Sequence, residues 1–345
     1  MPRRRHAATL GGVLSLPRIR GVSTFLRCAI VSLCLLTVLF CLLLIPSFTV
    51  HAKHHNKTYQ ETIPLRASVI IKATDAQGRP VTGLSCADFL LRVNKQPVAW
   101  ASCAPLPTAV AVGFALDTSR SVRDIIFHER ETALALVSHF GPETSVGIVS
   151  FGIQPKWLLS FTTDVKAARR AFNTLPPESE RTALFDGAAA LLPAWAASAR
   201  AEQRIGIIIS DGLDNASQIS AASLLAEAQA LGVTFYVIHF PFYEPRDGHL
   251  AARPMVSGVR ELAERTGGRY FRVGTAQDAL NPRAEYDLRP VFQALAQDVG
   301  GRYRLSFALP DNKTATRRRW EIKWATPHAG WRLQILRENQ AVPTP

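Results

Sequence analysis

Uninterrupted apolar runs alternate with segments of helical period through the middle of the chain. That alternation predicts a doubly wound, mostly parallel α/β sheet with helices on both faces. Ala109 to Leu116 and Ile205 to Ile209 are continuous apolar strands, and Ser145 to Phe151, Trp157 to Phe161, Val233 to Phe240 and Tyr270 to Val273 read as further strands. Val122, Ile125, Ile126, Ala133, Val137 and Phe140 fall on one helical face. Further helices are expected over Val165 to Leu175, Leu184 to Arg200, Ala221 to Leu231 and Val259 to Arg265, with Leu288 to Val299 closing the domain. The segment 241 to 258 exceeds the usual strand-to-helix connection of about 2 to 6 residues.

The flanks change period. Tyr303, Leu305, Phe307, then Trp320, Ile322, Trp324, then Trp331, Leu333, Ile335 each alternate with polar positions, so they read as half-buried strands. Ala67 to Ala73 is another strand, and Phe89 to Val93 with Val98 to Trp100 flank Asn94-Lys95-Gln96-Pro97 as a hairpin. Reflecting that hairpin about Asn94 and Lys95 brings Cys86 opposite Cys103. Neither flank alone has enough strands for a stable sandwich, so the two are expected to pack together. The boundaries drawn are 53–105 for an N-terminal β module, 106–300 for the α/β domain and 301–345 for a C-terminal β segment.

Charge and cysteine usage add a compartment. Six arginines and no acids precede or flank an uncharged stretch from Cys28 to Ala52 whose core, Ala29 to Ile45, is strongly apolar. Residues 1–52 therefore read as a signal peptide cleaved after Ala52, or as a signal anchor held by residues 28–45. Either way everything after residue 52 is exported to a periplasmic, cell-surface or secreted location. The formal net charge of +13 falls to +7 for the exported part, with 34 basic and 27 acidic residues, which argues against nucleic acid as a partner. Arg317-Arg318-Arg319 reads as a solvated hairpin flank. Three cysteines lie in the signal, and the remaining pair, Cys86 and Cys103, is expected to form one disulfide in an oxidising compartment.

Candidate chemistry sits at the strand ends. Asp117-Thr118-Ser119-Arg120-Ser121 follows the first central strand and Asp211 follows the strand ending at Ser210. Thr182 stands in the loop before a helix. In an open α/β sheet the carboxyl ends of the strands line the ligand crevice. Oxygen-only donors there suit Mg²⁺ or Mn²⁺ better than zinc or copper. Asp186 and Asp214 read as a helix-start and a turn residue.

These residues resemble the von Willebrand factor type A (VWA) domain, a Rossmann-like fold. Its metal-ion-dependent adhesion site has the form Asp-x-Ser-x-Ser, then Thr, then Asp, matched here by Asp117, Ser119, Ser121, Thr182 and Asp211. The resemblance implies a Mg²⁺ site with one position left for a carboxylate of a protein partner. The order of β module, type A domain and β tail also resembles VWA-related proteins of acidobacteria, on Gly78 to Phe89 and Thr266 to Phe271.

No Asp-x-Asp at a strand end, phosphate-binding loop, dinucleotide fingerprint, HExxH or GxSxG is found, so no catalysis is expected. The rivals are a structural scaffold with a vestigial site and a Mg²⁺-dependent phosphoryl-transfer enzyme. The 241 to 258 segment leaves the same rim as Asp117, and its Glu244, Asp247 and His249 are candidates for partner contact.

Overall fold

The computed structural model describes residues 65–107, 110–119, 122–197, 202–281, 284–308 and 320–343. The signal expected over 1–52 and the run Arg317 to Arg319 lie outside them. The described chain opens with β1 (Leu65–Thr74), a 3-10 turn at Cys86–Asp88, β2 (Phe89–Val93), β3 (Gln96–Val98) and β4 (Trp100–Pro105).

The central domain follows. It comprises β5 (Val110–Asp117), α1 (Arg123–His128), α2 (Arg130–His139), β6 (Ser145–Phe151), β7 (Pro155–Thr162), α3 (Val165–Phe172), α4 (Leu184–Ala189) and α5 (Leu192–Ala197). It continues through β8 (Gln203–Ser210), α6 (Ala221–Leu231), β9 (Val233–His239), β10 (Tyr243–Arg246), β11 (His249–Ala252), α7 (Val259–Arg265), β12 (Tyr270–Arg272), α8 (Ala276–Leu280) and α9 (Arg289–Gly300). The chain ends with β13 (Arg302–Ala308), β14 (Trp320–Trp324) and β15 (Arg332–Pro343).

The six-stranded central sheet runs β12-β9-β8-β5-β6-β7, parallel except for the antiparallel edge strand β7. Strand β5 lies in the interior of the sheet and is buried along its whole length, as its unbroken apolar run requires. Its two faces differ. Val110, Val112, Phe114 and Leu116 pack with residues of α2, α3 and α9, whereas Ala111 and Ala115 face α4, α6 and α7. The small face makes room for Trp195, fully buried in α5. A Cβ on Gly113 would stand 2.7 Å from the Trp195 ring, so the strand tolerates no larger residue there without displacing it.

Three central elements differ from expectation. The helix read over 122 to 140 is two helices meeting at Glu129. There the Arg130 guanidinium takes the Phe127 carbonyl, which a continuous helix would offer to the residue 131 amide. The helix read over 184 to 200 stops at Ala189 and restarts at Leu192, because the ring of Pro193 clashes with the carbonyl four residues back. The 241 to 258 segment is no open loop: β10 and β11 form a hairpin, turning at Asp247 (φ 51°) and Gly248 (φ 78°).

The described strands on either side of the central domain form one β sandwich. An antiparallel sheet ordered β15-β1-β13-β4 faces a second ordered β14-β2-β3 across Val69, Ile71, Phe89, Leu91, Leu305 and Phe307. Cys86 and Cys103 are bonded, with Cα atoms 5.2 Å apart. The hairpin reflection is not how they meet. The two-residue turn at Asn94 and Lys95, both at positive φ, closes a hairpin that ends at Val98. The chain then crosses into the other sheet as β4, which pairs with β13, so the disulfide ties the 3-10 turn ahead of β2 to β4 of the opposite sheet.

A buried polar cluster joins sandwich and central domain. Lys72 of β1 places its Nζ 2.7 and 2.9 Å from the two carboxylate oxygens of Asp298 in α9 and donates to the Gly267 carbonyl. Tyr236 of β9 donates to Asp298 Oδ2, and Arg302 of β13 donates to the Tyr236 hydroxyl. Burial pushes the Lys72 ammonium below its ordinary pKa, with Asp298 opposing the shift, and pushes the Tyr236 phenol well up. Breaking such a pair leaves an uncompensated charge in a dry place. Lys72→Met is therefore expected to destabilise the protein by about 3 to 5 kcal/mol in urea denaturation, with Lys72→Met/Asp298→Asn costing less than the sum of the single changes.

Candidate metal centre

Asp117 ends β5 between β6 and β8, with Leu116 in register with Ile209. Its side chain is fully buried, which is costly for a carboxylate unless its oxygens are satisfied. Oδ1 accepts the Ser119 backbone N–H at 2.8 Å, and Oδ2 accepts the Ser210 hydroxyl at 2.6 Å. Ser210 Oγ in turn accepts the Gly212 N–H at 3.0 Å, so one hydroxyl joins the tips of β5 and β8.

Asp211, the first residue past β8, is 4% exposed, and its Oδ1 accepts the Leu213 N–H at 3.0 Å. The chain turns sharply after it through Gly212 at φ +79°, a conformation that disfavours any side chain. His239 at the tip of β9 fixes this turn. Its Nε2 lies 2.8 Å from the Asp211 carbonyl and its Nδ1 meets the Tyr270 hydroxyl, so Nε2 carries the proton.

Thr182 is buried in the loop before α4 and is tied to the segment after Asp211. Its N–H donates to Asn215 Oδ1, and its carbonyl accepts the Asn215 and Ala216 N–H groups. Ser119 bridges to Ser179 beside it. The fold thus brings the loops of Asp117, Ser119, Thr182 and Asp211 to one rim; Ser121 lies outside the described residues. Asp186 accepts the Gln218 and Ile219 N–H groups, which tethers the start of α4 to the segment before α6, and Asp214 accepts that of Ser217 within a turn.

The electrostatics suit a cation. Asp117 is pushed up to about 6, first by burial and then by the neighbouring Asp211 charge, with bonds from Ser210 and Ser119 opposing. Among the described residues no lysine or arginine pairs with it. Two carboxylates with hydroxyl neighbours are hard oxygen donors, and among the described residues no cluster of three or more His, Cys, Asp or Glu offers a softer set. The residues present fit Mg²⁺ or Mn²⁺.

Ser210, Asn215 and His239 were not singled out from sequence. A hydroxyl as the last strand residue directly before an Asp was the available signal for Ser210. Asn215 and His239 are set by contacts between distant segments. On the β10–β11 hairpin, Glu244 is held by Arg253 and Arg246, which lower its carboxyl pKa, Arg253 foremost. Asp247 forms the exposed turn, and His249 Nδ1 lies 3.3 Å from the Asp247 carbonyl.

Residues 111–282 match the family model described as von Willebrand factor type A domain. Among solved structures, the chain is similar to BatB from Bacteroides thetaiotaomicron at 17% identity, covering 55% of this chain and 97% of that one with a TM-score of 0.42. It is similar to a von Willebrand factor type A protein from Catenulispora acidiphila at 12% identity, covering 82% and 74% with a TM-score of 0.43. Proximal thread matrix protein 1 from the mussel byssus, with a zinc-occupied MIDAS motif, is similar at 15% identity, covering 60% and 49% with a TM-score of 0.43. No curated protein matches the chain.

The raised Asp117 pKa has a consequence for the metal-free protein. Because the folded state holds this proton more tightly than the unfolded chain, its contribution is fully present below about pH 4 and is lost as pH rises through about 6. Urea denaturation in chelator is expected to show stability falling across that window by roughly 3 kcal/mol from this group. Asp117→Asn, which removes the charge but offers one acceptor oxygen where the carboxylate offers two, should flatten the slope.

Proposed function

The chain belongs to the von Willebrand factor type A family through residues 111–282, and on that premise we propose that it is an exported, non-catalytic binding protein whose Mg²⁺ or Mn²⁺ site captures a carboxylate of a protein partner. The observation that carries this reading is the buried Asp117 carboxylate beside Asp211, with no described basic side chain paired to it. Like charges held together in a dry crevice are unfavourable unless a cation offsets them. Asp117, Ser119, Ser121, Thr182 and Asp211 would hold the ion. It would supply Lewis acidity toward an incoming carboxylate.

What the protein itself contributes is placement. Ser210 keeps the two tips in register, and Asn215 keeps Thr182 against the segment beyond Asp211. Hydroxyl ligands are neutral, so a bound ion keeps enough positive charge to attract one more acidic group. The Cys86–Cys103 disulfide supports an oxidising compartment, and with the arginine-rich apolar start it favours export by a cleaved signal or an anchor.

Calorimetry with Mg²⁺ and Mn²⁺ tests the reading. Wild type is expected to bind one ion, Asp117→Ala to bind none with circular dichroism unchanged, and Ser210→Ala, which alters a supporting bond, to bind about 10- to 100-fold more weakly. Absence of divalent-ion binding to folded wild type would end the metal reading.

A further inference from the structure

The rim beside the candidate ligands carries arginines ordered by aromatic rings. Ser210 is in register with His239, and His239 with Arg272 of β12. Arg272 therefore stands on the same rim two strands beyond Ser210, about 10 Å away at the usual strand spacing. Its guanidinium donates to the Tyr243 hydroxyl of the hairpin at 2.9 Å. Arg260, in the first turn of α7, lies with its guanidinium carbon 4.4 Å from the Tyr270 ring centroid, and Arg253 lies 4.8 Å from that of Phe242.

Three of the nearby acids are already committed, while Glu264, one turn on from Arg260 in α7, makes no ion pair among the described residues. Glu244 is shared by Arg246 and Arg253, Glu261 pairs with Arg265, and Asp278 caps α8 through Thr275; Asp247 stands apart at the hairpin turn. Arg260 and Arg272 are both exposed, and among the described residues neither has an ion-pair partner. A guanidinium held by a ring or a phenol keeps its planar fork aimed outward, which suits a carboxylate at little ordering cost.

We infer that this face is a second subsite for an acidic polypeptide segment. One partner carboxylate takes the metal, and carboxylates about three residues further along an extended segment, at about 3.3 Å per residue, fall between Arg260 and Arg272. This rests on the metal reading above. Phe242, 39% exposed on the same hairpin, favours a partner with apolar groups between its charges, which a polypeptide has and a phosphate polymer lacks.

Two labelled synthetic peptides test it against the full chain in Mn²⁺ by fluorescence anisotropy. One carries a single Glu in a Ser-Gly-Phe background, and the other adds two Asp three and four residues beyond that Glu. The triacidic peptide is expected to bind about tenfold tighter. Arg260→Gln/Arg272→Gln should erase that advantage while leaving Mn²⁺ affinity and single-Glu peptide binding unchanged. Equal affinities in wild type, no binding of the triacidic peptide, survival of its advantage in the double variant, or equally tight binding of polyphosphate would each overturn the inference. If chelator leaves both affinities unchanged while the advantage still disappears in the double variant, the metal reading fails and the arginine subsite stands.

Discussion

Two carboxylates held side by side at neighbouring strand tips repel each other, and burial of Asp117 sharpens that repulsion because little water screens it. The loops around the rim act as a frame against it. Ser210 joins the tips through one hydroxyl, donating to Asp117 and accepting from Gly212. His239 holds the Asp211 carbonyl from the next strand. Each contact is an ordinary hydrogen bond. Together they fix the carboxylates where their separation is set by the parallel register and not by mutual avoidance.

That register depends on what lies beneath. Strand β5 can lie inside the sheet only because large side chains fill one face and Ala111, Gly113 and Ala115 leave the other to Trp195. Below the sheet, Lys72 and Asp298 tie the sandwich to α9, and Arg302 reaches Tyr236 on β9. The site rim carries polar loops and the rest of the domain supplies rigidity. Binding residues on loops set by a packed scaffold follow this division of labour.

Much of this could be read from residue pattern alone. The unbroken apolar run into Asp117 and the strand ending at Ser210 announced parallel strands with carboxylates at their tips, because buried strands leave no alternation. The helices at Ala221 to Leu231 and Val259 to Arg265 fell where periodicity put them. What pattern could not carry was contact between distant segments. Ser210, Asn215 and His239 act through partners 93, 33 and 28 residues away. The break at Glu129 arises from a side chain taking a backbone carbonyl, and the disulfide reaches β4 of the opposite sheet because the chain leaves its hairpin after Val98. The polar cluster of Lys72 and Asp298 was likewise invisible, since a lysine in an apolar strand reads as a surface position until its partner is known.

A metal ion that accepts any carboxylate has little means of choosing among acidic partners, so selectivity has to arise outside its coordination sphere. The sheet supplies the place. Strands β8, β9 and β12 step outward from Asp211 along one rim, so groups near their tips are spaced by the strand interval and meet a partner at regular distances. The hairpin between β9 and α7 follows the same rim and spends its own carboxylate, Glu244, on Arg246 and Arg253. That internal pairing leaves the guanidiniums of Arg260 and Arg272, steadied by Tyr270 and Tyr243, as exposed positive charge without an ion pair among the described residues. On the reading proposed above, a partner with one acid would meet only the ion. One with a second acid at the right interval would meet a fixed counter-charge as well, and the difference between those two encounters is the specificity that such an arrangement provides.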